Sequence, residues 1–175
     1  MEVTIRRART TDVRAVRRLI DAYSRNGILL DKPTVTLFES VQEFWVAERD
    51  EDGRVVACGA LHVMWEDLAE VRTLAVDPAC KGLGIGHQLL DKLLETARWL
   101  GVRRIFCLTF EVPFFSKHGF VEIGENDDRT ADPAAVATEV YEELLRSYDE
   151  GVAEFLDLER VKPNTLGNSR MLLHL

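Results

Sequence analysis

Residues Glu70 to Leu100 read EVRTLAVDPACKGLGIGHQLLDKLLETARWL, and this stretch decides the fold. Val71 to Val76 is a short apolar run rich in β-branched residues, the pattern of a strand. Asp77-Pro78 ends it, because proline cannot continue a ladder and Asp-Pro favours a turn. Gly82, Gly84 and Gly86 follow, and then Leu89, Leu90, Leu93, Leu94 and Ala97 recur at helical spacing. A glycine loop therefore lies between a strand end and a helix start. The first amides of a helix have no intrahelical partner, and the helix dipole is positive there. Glycines let a ligand approach the backbone closely. The result is an anion site, and phosphate is the anion it suits.

The loop is not GxxxxGK[ST], since no lysine follows its last glycine. Nor is it GxGxxG: His87, Gln88 and Leu89 stand where a third glycine would fall. A chain of 175 residues, 46% of them hydrophobic, is expected to form a single domain over 1–175 with a sizeable core. No run approaches about 18 apolar residues, so no membrane span or membrane partner is expected. Met1 leads into an arginine-bearing strand pattern rather than an apolar leader, so no signal peptide is expected. Cys58, Cys80 and Cys107 have no metal-binding spacing and cannot all pair. They fit a reducing, cytoplasmic setting without a metal. The net charge of −8 argues against nucleic acid as a partner. The basic run from Arg6 to Arg18 is expected on the solvent face of the first helix.

Val3 to Arg7 alternates as a strand, and Thr10-Thr11-Asp12 is a helix-capping cluster. Val13, Val16, Leu19, Ile20 and Tyr23 mark one apolar helix face, stopped at Asn26-Gly27. Gly27 to Pro33 is a loop too apolar for full solvation: it either packs with a second helical region or covers a ligand. Leu37 to Phe44 is a candidate short helix. Trp45 to Glu48, a turn at Glu51-Asp52-Gly53, and Val55 to Trp65 form a hairpin. Gly59 inside the second strand signals a bulge or a close backbone approach. Glu66-Asp67 leads into the Glu70 strand, making an antiparallel meander. Gly101 ends the central helix, and Arg104 to Thr109 is a buried strand, closing a parallel βαβ unit. Phe110 to Phe120 is a short helix stopped at Gly119, followed by a strand from Val121 to Ile123. Gly124 to Asp132 is an acidic, turn-rich loop. An amphipathic helix from about Pro133 offers Val136, Val140, Leu144 and Leu145 as its core face and extends towards Phe155. Met171 to Leu175 is a last strand.

Lys81 to Gly86 resembles the pyrophosphate loop [RQ]xxGx[GA] of the GCN5-related N-acetyltransferases, with lysine in place of the usual arginine or glutamine. LAVDP resembles the family's strand that pairs with the pantetheine arm. PFFSKHGF at Pro113 to Phe120 resembles its FYxxxGF element, with Phe115 at the place of the tyrosine. The order of elements matches throughout. The resemblance implies the acyl-CoA N-acyltransferase fold, an α/β fold with a mixed central sheet and helices on both faces. It implies acetyl-CoA as cosubstrate, bound at Leu74, Ala75, Val76, Lys81, Gly82, Leu83, Gly84, Ile85, Gly86, His87 and Phe115. Three further stretches resemble the amino-acid N-acetyltransferases of the N-acetylglutamate synthase type, which open arginine biosynthesis. They are ACGAL at Ala57 to Leu61, AEVRTLAVDP at Ala69 to Pro78, and the end of the chain from Asn164 to Leu172. There Asn164, Ser169 and Arg170 match the group's pattern, while its arginine falls on Gly167. LLDKPT at Leu29 to Thr34 resembles the group's LLPRS, with Lys32 at the arginine. No amino-acid-kinase domain fits, so the likeness is to the short, stand-alone form.

That chemistry needs a base to take a proton from the acceptor amine. Glu70 is the first candidate and His62 the second. An exposed strand-start glutamate and a hydrogen-bonded core histidine are the plain alternatives. The thioester carbonyl needs a donor, for which the resemblance points to a backbone N–H between Leu74 and Val76. A dicarboxylic acceptor needs cations, and the candidates outside the helices are Lys32, Arg72, Lys162 and Arg170. Arg72 stands two residues from Glu70, on the same strand face, and a plain salt bridge is the alternative. With Phe115 at the tyrosine place, the acid for the leaving thiolate would be Cys107, Tyr148 or water, unless the thiolate leaves unaided. The expected reaction is acetyl transfer to the α-amine of an amino acid, glutamate first. Acetylation of another small amine or a protein amine, or non-catalytic acyl-CoA binding, stays open. So do glutamine as acceptor and a homodimeric state.

Overall fold

The computed structural model describes residues 1–124, 134–161 and 167–175. They fall into two compact units, Met1–His62 with Val71–Leu100 and Val63–Glu70 with Gly101–Leu175.

In the first unit, β1 (Val3–Arg7) pairs antiparallel with β2 (Phe44–Arg49), Val3 opposite Arg49 and Arg7 opposite Trp45. Strand β2 pairs antiparallel with β3 (Val55–Trp65), and the register slips between Ala47 and Glu48. Strand β4 (Leu68–Val76) is hydrogen-bonded to β3. Alternation then sorts the side chains. Val46, Cys58, Ala60 and Ala75 pack with Val13, Val16, Leu19, Ile20 and Tyr23 of α1 (Val13–Ser24). Ala47, Val56 and Ala57 pack with Ile85 and Leu89 of α3 (Ile85–Leu100). Helices thus cover both faces of this sheet. Gly59 is the close approach the sequence signalled. A Cβ there would lie 2.9 Å from Leu74 Cδ1 and 3.1 Å from Leu93 Cδ1. A bulge is also present, at Val56 of β3 itself: Ala47 faces Ala57 and Glu48 faces Val55, leaving Val56 the extra residue. The helix expected from Leu37 lies earlier, as α2 (Thr34–Glu39), because Phe44 is needed by the sheet.

In the second unit, Leu68–Glu70 of β4 run parallel to β5 (Arg104–Thr109), with Glu70 opposite Phe106. The last strand, β7 (Ser169–His174), pairs antiparallel with β5 on one side and with β6 (Val121–Glu122) on the other. Leu68, Phe106, Ile123, Phe155 and Leu172 form the core, with the rings of Phe106 and Phe155 edge-on at 5.5 Å. A short helix α4 (Val112–Ser116) precedes the left-handed Gly119. The long C-terminal helix is instead two, α5 (Thr138–Leu144) and α6 (Glu150–Phe155). Asp149 restarts the helix, its carboxylate accepting from the Val152 amide at 3.1 Å. Leu144 is buried as expected, but Leu145 is 46% exposed. Pro133 and most of the acidic loop from Gly124 lie outside the described residues.

The basic run is not one solvated face. Arg6 lies in β1, and its guanidinium grips both oxygens of Asp12, at 2.7 and 3.0 Å, and Glu48 through Nε at 2.8 Å. Asp12 also accepts from the Arg9 amide at 2.7 Å, so Thr10–Asp12 forms its own 3-10 turn. Arg18 donates to the Val55 carbonyl at 2.9 Å. All three cysteines are buried thiols. Burial pushes the Cys58 thiol up to about 12.

The Arg6 hydrogen bonds hold the Asp12 carboxyl below the usual carboxylate range, outweighing its burial. Its contribution to stability is therefore present above the unfolded value of about 4 and lost as pH falls through the folded one. Asp12→Asn should cost about 2 kcal/mol in urea unfolding at pH 7, and the gap to the parent should narrow below about pH 4. An equal gap at pH 3 and pH 7 would mean that the charge of Asp12 is not what matters.

Candidate active site

The loop after β4 is built in steps. The Asp77 amide donates to the Val56 carbonyl at 2.7 Å, fixing the strand end against β3. The Asp77 carboxylate accepts from the Ala79 amide at 3.0 Å and from Arg54 at 2.8 Å, closing a 3-10 turn over Pro78–Cys80. Gly82 and Gly84 both stand at φ +78°, and nothing lies within 4 Å of the space a Cβ would take at either. Only glycine adopts that backbone without strain, and the bare surface lets an anion close in. The Gln88 amide reaches back to the Gly84 carbonyl at 3.2 Å, so Gly84 opens α3. Gly86 lies inside the helix at ordinary φ, and two of the three glycines therefore carry the turn. Ile85 is buried and anchors the loop to the core, while Leu83 is half exposed at its tip. The first amides of this 16-residue helix have no intrahelical acceptor, an arrangement suited to a pyrophosphate. His87 sits half-buried in the same turn.

Tyr23 supports this loop, a role its place on an apolar helix face concealed. Its hydroxyl donates to the Val76 carbonyl, and Lys81 Nζ stands 5.0 Å from the centre of its ring. The only signal in the sequence was a tyrosine where leucine or phenylalanine would have filled the core.

Strand β4 has one exceptional residue. Thr73 is at φ +57°, a conformation that costs a β-branched side chain about 1–2 kcal/mol. Its carbonyl accepts from the Cys58 thiol at 3.6 Å. The Ala75 amide is engaged by the Cys58 sulfur, and Leu74 packs over Gly59. The kink falls just ahead of the segment proposed to face the thioester. Arg72, immediately before it, is half-buried.

The candidate bases differ in setting. Glu70 is 5% exposed, which excludes the solvated strand-start reading. Its charge, after burial, is the second cause that raises the neighbouring Cys107 thiol well above its ordinary value. His62 is hydrogen-bonded, with Nδ1 2.8 Å from Glu43 Oε1, but it is half-buried rather than the core histidine of its plain reading.

Several expected ligands have other partners. Arg170 donates to the carbonyls of Glu154 at 3.2 Å and Phe155 at 2.5 Å, and its guanidinium lies 5.9 Å from the Phe106 ring. It thus closes the C-terminal end of α6, where a cation is favoured, rather than presenting an open fork. Ser169 donates to Glu122 at 2.5 Å across β6 and β7. Phe115 is buried edge-on between Phe114 and Phe120 rather than lining an open surface. Of the acids considered, Cys107 is buried with a raised thiol, and Tyr148 is 98% exposed. Lys32 is half-buried in the loop after α1. Asn164 and Lys162 lie outside the described residues. Among the described residues, no group of three or more His, Cys, Asp or Glu side chains could hold a metal ion.

Residues 40–122 match the model of the acetyltransferase (GNAT) domain. The chain is 59% identical, over 97% of its length and 92% of the relative's, to the amino-acid acetyltransferase of Mycobacterium tuberculosis. A crystal structure of a Mycobacterium tuberculosis protein in complex with CoA and NLQ superposes with a TM-score of 0.89. The two are 58% identical, covering 98% of this chain and 99% of that one. N-acetylglutamate synthase from Neisseria gonorrhoeae, solved with coenzyme A and N-acetyl-glutamate, shares the fold at a TM-score of 0.74 and 23% identity. All of this chain matches 35% of it.

Gly84→Val puts a branched side chain at φ +78° and over the open amides. Acetyl-CoA affinity should fall at least about tenfold by calorimetry, with the circular dichroism of the fold retained through the buried face of α3. Unchanged affinity would remove the loop from the cofactor site.

Proposed function

The chain belongs to the GNAT acetyltransferases, and from that we propose that it transfers acetyl from acetyl-CoA to the α-amine of glutamate, the first reaction of arginine biosynthesis. The observation that carries the cofactor half is the left-handed Gly82–Gly84 turn feeding the N-terminus of α3 directly after β4. The acceptor half is supported by likeness to the Mycobacterium tuberculosis amino-acid acetyltransferase over nearly the whole chain.

Bound acetyl-CoA supplies a thioester whose carbonyl carbon accepts the amine and whose sulfur leaves. The protein's own work is to hold, orient and deprotonate. Loop amides from Gly82 to His87 neutralise the pyrophosphate. Amides of β4 beyond the Thr73 kink face the thioester oxygen, where negative charge develops. Glu70 takes the proton of the ammonium, since only the neutral amine has a lone pair to attack with. Arg72 holds an acceptor carboxylate, two residues along the strand, with Lys32 as the second cation. Phe115 has no hydroxyl to give, and the thiol of coenzyme A is acidic enough to depart as the thiolate.

Glu70→Gln should leave both KM values near those of the parent and lower kcat by roughly 10². A fall of less than about threefold across pH 6 to 9 would move the role to His62 or to water.

The two arginines should separate. Arg72→Ala should raise the glutamate KM at least about tenfold with acetyl-CoA affinity unmoved. Arg170→Ala should instead cost about 1–2 kcal/mol of stability, because it unties the end of α6, and leave the glutamate KM alone. The reverse pattern would assign the acceptor carboxylate to Arg170.

A further inference from the structure

The loop after α1 is fastened in a way that neither its apolar pattern nor its motif announces. Arg17 lies mid-helix with its side chain 23% exposed. Its Nε and Nη2 donate to Asp21 Oδ1, at 2.9 and 2.7 Å, one turn further along the same helix. That pair sets the plane of the guanidinium. From this fixed plane, Nη1 donates to the backbone carbonyl of Lys32 and Nη2 to the carboxylate of Asp31. One planar fork therefore joins the helix to the loop at two consecutive residues.

Other contacts hold the two ends of the loop, the Pro33 carbonyl accepting from the Thr36 amide at 3.0 Å at its far end. Its start is fixed by the Ile28 amide on the Tyr23 carbonyl at 3.2 Å, after the left-handed Gly27. Within the loop Leu29 packs against the core while Ile28 and Leu30 are each more than two-fifths exposed, and Leu37 of α2, beyond the loop, is buried. Burial thus holds Leu29, and Arg17 holds the Asp31–Lys32 segment that follows.

We infer that Arg17 is a positioning residue for the acceptor: by clamping Asp31 and the Lys32 carbonyl it sets where the Lys32 ammonium stands. This rests on the reading that Lys32 meets an acceptor carboxylate. A lysine is a flexible point charge, and it selects a substrate only if its backbone is held. A helical arginine bound to three oxygen atoms supplies that hold from a rigid element.

The test compares Arg17→Ala, Arg17→Lys, Lys32→Ala and the Arg17→Ala/Lys32→Ala double variant, all in the full chain. Amide hydrogen exchange over residues 28–32 reads the loop without reference to activity. Arg17→Ala should speed that exchange about tenfold, locally, and raise the glutamate KM about fivefold. Its kcat and acetyl-CoA KM should stay within about twofold. Arg17→Lys keeps the charge but not the fork, and should behave nearly like the alanine variant. The double variant should have the glutamate KM of Lys32→Ala alone, since the clamp acts only through that lysine. Unchanged exchange in Arg17→Ala overturns the clamp. A loosened loop with unchanged glutamate KM, while Lys32→Ala does raise it, overturns the positioning role. If Lys32→Ala leaves the KM untouched, the acceptor reading of Lys32 has failed, and a loosened loop then makes Arg17 a structural anchor only.

Discussion

The backbone between Val76 and Ile85 must leave a strand, turn twice through left-handed space, and enter a helix with its amides facing out. That requirement fixes the loop's composition and much of what surrounds it. Asp77 has to be there to close the first turn, since its carboxylate serves the Ala79 amide and Arg54 together. Gly82 and Gly84 supply the conformation that no L side chain takes comfortably. Ile85 and Leu89 tie the new helix to the sheet, and Tyr23 holds the carbonyl where the strand stops. Each of these residues is ordinary alone. Together they keep a polar backbone open that would otherwise collapse onto its own hydrogen bonds.

Elements with a clean period were legible. Strand β1 begins and ends where its alternation does, β3 where its apolar run does, and every residue assigned to the α1 core face is buried. What was not legible follows from chemistry that acts across the chain. The insertion of β7 between β5 and β6 depends on pairing between distant segments, which no local pattern encodes. The C-terminal helix breaks at Asp149, whose carboxylate reads equally well as a solvated helical side chain or as a cap. Leu145 kept its place in the helical period but lost its core, because the helix ended first.

Assignment of cations was the weakest point, and the reason is physical. Helical position predicts where Cβ points, not where a guanidinium at the far end of a long flexible stem arrives. Arg6, Arg104 and Arg170 lie on strands and Arg17 and Arg18 on a helix, yet all five end on carboxylates or backbone carbonyls. An acidic chain offers every arginine many such partners. Charge type therefore nominates ligands for an anionic substrate, and only the donor's remaining commitments decide among them. Arg170 was nominated and is committed; Arg17 was set aside as solvated and anchors a loop.

The buried thiols have a practical corollary. A thiol reacts with disulfide reagents and alkylators as the thiolate. Cys58 and Cys107 are enclosed and held protonated, and Cys80 is 4% exposed. In the native protein a colorimetric thiol reagent thus finds little to label, and a signal that grows during turnover belongs to released coenzyme A. Unfolding brings all three sulfurs to the reagent at once. The same chemistry that keeps the assay background low turns the rate of alkylation into a clock for global opening of the chain.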